Sequence, residues 1–159
     1  MSTEQAIRSA FDSQYQAGLD MLEAAVRACP DDAWDSSAHV NRFWHIAYHT
    51  LFYVNLYLFE TVDDHVPWSG HRDDAQNLRP GVEPYSRDSI LEFLSFCRDH
   101  ARRRIAALEL GVESGFSWLP FSPVERLAYN LRHLQHHAGQ LSERIRQDTG
   151  NGVGWVGRG

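Results

Sequence analysis

Most of the chemistry available to this chain lies in two short segments. WHIAYH holds His45 and His49, and RHLQHH holds His133, His136 and His137, so five of the nine histidines fall in two places. Imidazole nitrogens are good ligands for zinc, nickel, copper and iron. His133 and His137 are four residues apart; on a helix that spacing sets them about 6 Å apart along the axis and about 40° apart in azimuth, close enough to share one ion. His45 and His49 repeat the spacing. If the two helices face each other, one histidine of the first segment completes a three-nitrogen site, and either His45 or His49 can take that place. Three protein nitrogens leave coordination positions open, which marks catalytic rather than structural sites. His136 is turned by about 100° from His137 and overlaps that face less well. His136, and whichever of His45 and His49 is not a ligand, are then expected to support the ligands from behind.

Both segments must be helical for this geometry, and the sequence provides the helices. From Glu4 to Cys29, Ile7, Phe11, Leu19, Leu22 and Val26 recur at three- and four-residue steps, and Pro30 ends the run. A second helix is expected from about Ala38 to Asp63, with Asp35, Ser36 and Ser37 as N-cap candidates. It is apolar on most faces, so it is either central or part of a subunit interface. Residues 64–85 hold Pro67, Gly70, Pro80, Gly81 and Pro84 and read as a long irregular link. Ser86 opens a third helix, to about Leu110, with Gly111 as its stop. After a connector with Gly115, Trp118 and Phe121, Ser122-Pro123 opens a fourth, to about Asp148, and Glu125 completes a capping-box pattern. The expected fold is all-α, a four-helix bundle with a long connection between helices 2 and 3. It would occupy residues 1–150, with 151–159 an irregular glycine-rich tail in which Trp155 is an anchor candidate. There is no internal repeat and no glycine-rich phosphate loop.

Composition excludes several classes. A chain of 159 residues with 43% hydrophobic content can bury a real core. The net charge of −6 argues against a general nucleic-acid binder, and Arg102, Arg103 and Arg104 spread around a helix as solvated surface. Phe43–Val62 is long enough to span a membrane, but it contains His45, His49, Asn55 and Glu60, which points to a core helix. Cys29 and Cys97 form no CxxC pair, and the first residues lack the apolar core of a secretory signal, so a reducing, cytoplasmic setting is expected.

The segment NLRHLQHHAGQL resembles the terminal-helix motif of the DinB/YfiT-like family, in which a histidine, three residues and a second histidine precede a Gly-Gln pair. Here these are His133, His137, Gly139 and Gln140. FWHIAYHTLFY, with Trp34 upstream, resembles the same family's second-helix motif. The similarity runs from the first helix to about residue 148. It implies a four-helix bundle, often a homodimer, in which His49, His133 and His137 bind a divalent metal, nickel or zinc. His49 is preferred to His45 because it lies deeper in the apolar run. Wider relatives include metal-dependent thiol transferases and mycothiol-dependent maleylpyruvate isomerases. The expectation is therefore a metal-dependent enzyme that transfers a low-molecular-weight thiol to a small electrophile, with no nucleic-acid or membrane partner. The alternative is a non-catalytic metal-binding or stress-associated bundle acting through dimerisation or protein interaction. A purely structural bundle assembling through its apolar second helix is a third reading.

Around the site, His45, His136, Gln140 and Tyr129 are expected to support the ligands or the substrate. Glu125 is a base candidate, though capping is its simpler role. Tyr129 and Tyr48 either donate to a substrate or pack in the core, and Asn41 is either a supporting group or solvent-exposed. Trp44, Trp68 and Trp118 read as core or interface, and Cys97 as a small core residue.

Overall fold

A computed structural model describes residues 1–159 and shows an all-α fold. Five helices follow one another: α1 (Thr3–Ala28), α2 (Asp31–Trp34), α3 (Phe43–Leu56), α4 (Arg87–Ala107) and α5 (Pro123–Thr149). The only β pairing is one isolated bridge between Thr61 and Gly115. No helix is long and apolar enough to cross a membrane.

Local sequence explains the helix ends. At α1, the Ser2 side chain accepts from the Gln5 amide and the Gln5 side chain accepts from the Ser2 amide, a complete capping box. Ser122 caps α5 by accepting from the Glu125 amide, and Pro123 takes the first turn, where its missing N–H costs nothing. The return arm from the Glu125 side chain, expected from the sequence, is not made: Glu125 is exposed. Gly150 ends α5 with φ 80°, a left-handed conformation suited to glycine.

α3 is shorter than its apolar run. It starts at Phe43 rather than Ala38, because the expected caps are engaged elsewhere. Asp35 Oδ1 accepts from Trp44 Nε1 at 2.7 Å, and Ser36 Oγ accepts from the Ala38 amide at 3.2 Å. It stops at Leu56 although Leu58 and Phe59 continue the apolar pattern. There the chain bends, and the Leu58 and Glu60 carbonyls accept from Arg104 of α4 and Arg126 of α5. Gly115 fits against this bend; a Cβ there would overlap the Glu60 carbonyl and the Thr61 backbone. The four-residue α2, absent from the sequence reading, places Trp34 so that its indole donates to the Tyr85 carbonyl at 2.8 Å.

α1 packs on α4 and α5, and α3 packs on the same two, so α1 and α3 stand diagonally across one core. Twelve of the fourteen residues of α3 are buried within the single chain. Its all-round apolarity is thereby accounted for by the monomer. The helix-free segment 57–86 joins α3 to α4 and itself sends Trp68, Ala75 and Tyr85 into the core.

Candidate metal centre

The helix periodicity sets α3 and α5 side by side with matching faces. His49 and Tyr53 on α3 and Tyr57 just past its end follow at four-residue steps, as do His137, His133 and Tyr129 on α5. His49, His133 and His137 converge: each offers a ligand atom, and these atoms all lie within 4.8 Å of one another. All three rings are half-buried.

Two of the rings have their outer nitrogen fixed by the protein. His49 Nδ1 donates to the Gln76 carbonyl at 2.7 Å, and His137 Nδ1 donates to Gln140 Oε1 at 3.0 Å. Each bond keeps the proton on Nδ1 and leaves the Nε2 lone pair free, the usual way a protein prepares a ligating imidazole. His49 Nε2 and His133 Nε2 stand 3.2 Å apart, so without an ion the His133 N–H donates to the His49 lone pair. His133 Nδ1 is buried without a partner. Of the three rings, His133 alone has no protein partner on its outer nitrogen.

Electrostatics favour the neutral, ligating state. Burial pulls His133 down to about 3, helped by the neighbouring His137, His49 and His136 rings. Burial likewise brings His49 to about 4, against the opposing bond to Gln76, and lowers His137 against its bond to Gln140. At neutral pH the centre offers three uncharged imidazoles, a borderline-soft nitrogen set that suits zinc or nickel.

The other residues singled out from the sequence divide. His45 faces away from the triad, stacks on Trp44 at 4.5 Å, and donates from Nε2 to the Ala75 carbonyl at 2.9 Å. His136 is exposed and touches His137 only edge-on, with ring centroids 4.9 Å apart. Gln140 bonds His137 as described. Tyr129 is half-buried beside Tyr57. Tyr48 is fully buried, stacked on Tyr85 and bonded to His71 Nδ1 at 2.6 Å, so it packs rather than faces the triad. Asn41 uses its carbonyl to accept from Arg144. Cys97, Trp44 and Trp68 are core residues, whereas Trp118 is 52% exposed.

Sequence reasoning missed the loop. Consecutive carbonyls at Ala75 and Gln76 receive His45 and His49, and a backbone carbonyl carries no residue-type signal. Tyr53 was legible in principle, since it lies one turn after His49 on the same face, with ring centroids 4.8 Å apart.

The profile of the DinB superfamily matches residues 14–141, which include both histidine segments. The chain belongs to the DinB superfamily. No curated protein and no solved structure gives a match. In this DinB-superfamily chain the matched region takes in all of α3 and α4 and the part of α5 that carries His133, His137 and Gln140, and it leaves residues 151–159 outside.

Proposed function

We propose that His49, His133 and His137 hold one divalent transition metal, nickel or zinc, within a DinB-type four-helix bundle. On this reading the protein is a metal-dependent enzyme that transfers a low-molecular-weight thiol to a small electrophilic substrate. It works as a cytoplasmic homodimer without nucleic-acid or membrane partners. The observation that carries the reading is the convergence of three neutral imidazoles, two of them held with Nε2 lone pairs free by Gln76 and Gln140. When bound, such an ion lowers the pKa of a coordinated thiol and polarises a carbonyl oxygen. The chain's own part is to fix the imidazole tautomers and keep the rings unprotonated in a half-buried site. Because α3 is used up inside the monomer, a dimer has to form through another face.

Elemental analysis of the purified protein tests the centre. About one equivalent of metal is expected in the wild type and in His45→Ala, and far less in His49→Ala, His133→Ala and His137→Ala. A wild-type protein that carries no metal, and takes up none at micromolar concentration, sinks the proposal.

One observation favours the non-catalytic alternative: no carboxylate joins the three histidines, and Glu125 is exposed at the start of α5. Metal-loaded protein mixed with a small thiol and a chromogenic aryl halide separates the two readings. Accelerated thioether formation that needs His137 supports the enzyme; stoichiometric metal without acceleration across a panel of thiols supports the binding protein.

A further inference from the structure

Below the triad, the seam between α3 and α5 continues as an aromatic ladder. The Tyr53 ring lies 4.8 Å from His49 and 5.5 Å from His133; Tyr57 lies 5.6 Å from Tyr53 and 5.8 Å from Tyr129. The connector before α5 closes the lower end, with Phe121 5.6 Å from Tyr129 and Trp118 edge-on to Phe116 at 5.5 Å.

Three details distinguish this ladder from ordinary core packing. Tyr53 and Tyr129 are half-buried, not sealed. Their hydroxyls, unlike that of Tyr15, which donates to the Leu127 carbonyl, make no hydrogen bond within the protein, and they are not among the atoms closed off from solvent. Trp118 is held at one edge by its indole N–H, which donates to Tyr57 at 3.4 Å, yet is 52% exposed. Tyrosine and tryptophan presented in this way offer flat apolar faces with polar tips, the composition of a small-molecule site. The free donors are phenolic and uncharged, so the group they suit is an oxygen acceptor such as a carbonyl.

We propose that Tyr53, Tyr129 and Trp118 form the subsite that receives the substrate, and that the substrate is a small planar molecule, aromatic or conjugated, bearing a carbonyl oxygen. Its flat part lies along the ladder and its oxygen accepts from Tyr53 and Tyr129. Tyr53 and Tyr129 act by positioning. The proposal rests on the metal reading above, because the triad with its ion anchors the other end of the same molecule.

Calorimetric titration of zinc-loaded protein with three hydroxamates tests it, since they share one metal-binding head. Acetohydroxamate has no ring, benzohydroxamate adds one, and 4-acetylbenzohydroxamate adds a carbonyl to the ring. Benzohydroxamate should bind about tenfold tighter than acetohydroxamate, and the acetyl carbonyl should add a further severalfold. Trp118→Ala should erase most of the ring's gain, and the Tyr53→Phe/Tyr129→Phe double variant most of the carbonyl's gain. Zinc content, melting temperature and acetohydroxamate affinity should stay unchanged in both, which a merely structural role for these residues would not predict. If the zinc-loaded wild type binds all three equally, or binds none, this inference is overturned and the metal centre stands. If the protein takes up no zinc, the metal reading falls and this one falls with it.

Discussion

Two histidines of the triad, His49 and His137, have the far nitrogen held by a partner, Gln76 and Gln140, and that bond is what frees Nε2 to act as a ligand. Gln140 is a side-chain partner and can be removed without touching backbone, so Gln140→Ala should weaken metal affinity about 10- to 100-fold while leaving the fold intact. Competition titration with a chromogenic chelator reads this directly. The pH response follows from the lowered pKa values. With His49 near 4, His133 near 3 and His137 lowered as well, protons compete with a metal at lower pH than they would for free imidazoles, so the folded protein should keep its metal through dialysis at pH 5.5. Free imidazoles, with their ordinary value near 6.5, would be largely protonated there. Loss of metal on passing from pH 7 to 6 would contradict this. The histidine grouping was legible from spacing alone, because a four-residue step on two helices repeats one face. The choice between His45 and His49 was not, since both obey that spacing. The geometry separates them: His45 is turned to the Ala75 carbonyl, and His49 faces His133.

At the scale of elements, the link between α3 and α4 is as much a part of the centre as the helices. Asp74 has φ 62°, a left-handed conformation that aspartate tolerates and β-branched residues do not. It immediately precedes the two carbonyls that receive His45 and His49. Asp74→Val should therefore cost about 1–2 kcal/mol and weaken metal binding, whereas Asp74→Gly should preserve the metal. Equal metal content and melting temperature in the two variants would disconnect the turn from the site. The sequence marked residues 64–85 as irregular and long; the helix-free stretch is 57–86, because α3 ends at Leu56 rather than near Asp63. The link's role was illegible because proline and glycine announce turns but not where the resulting carbonyls point. The ends of α3 were misread for a related reason: apolar residues continue through Phe59, and hydropathy does not register that Arg104 and Arg126 take the carbonyls of the bend.

For the whole molecule, acid is the predictable weakness. His65 from the link and His100 from α4 pack on Phe59, and His71 packs on Phe52. Burial lowers all three, His100 to about 4. The unfolded chain then binds protons near pH 6.5 that the folded chain refuses. Stability is fully present above about 6.5, falls as the pH drops from there toward 4, and changes by at most about 1.4 kcal/mol per pH unit for each such group. Urea midpoints of metal-free protein should fall between pH 7 and 5, and His100→Phe should flatten that slope. At the other end of the chain, the tail lies back on the helices. The Val153 amide donates to Ser142 Oγ at 3.0 Å and Gln14 donates to the Gly157 carbonyl at 3.2 Å, while Trp155, the expected anchor, is 75% exposed. Removing residues 151–159 should lower the melting temperature by a few degrees and leave metal content unchanged.

One consequence concerns time rather than geometry. The His49–His133 contact closes a separation of 84 residues, and the second and third imidazoles both lie on the last helix. A chain still being synthesised displays one imidazole of the three until α5 has emerged and docked. On the proposed metal reading, an ion is therefore taken up by a chain whose helices have already docked, and uptake follows folding instead of nucleating it.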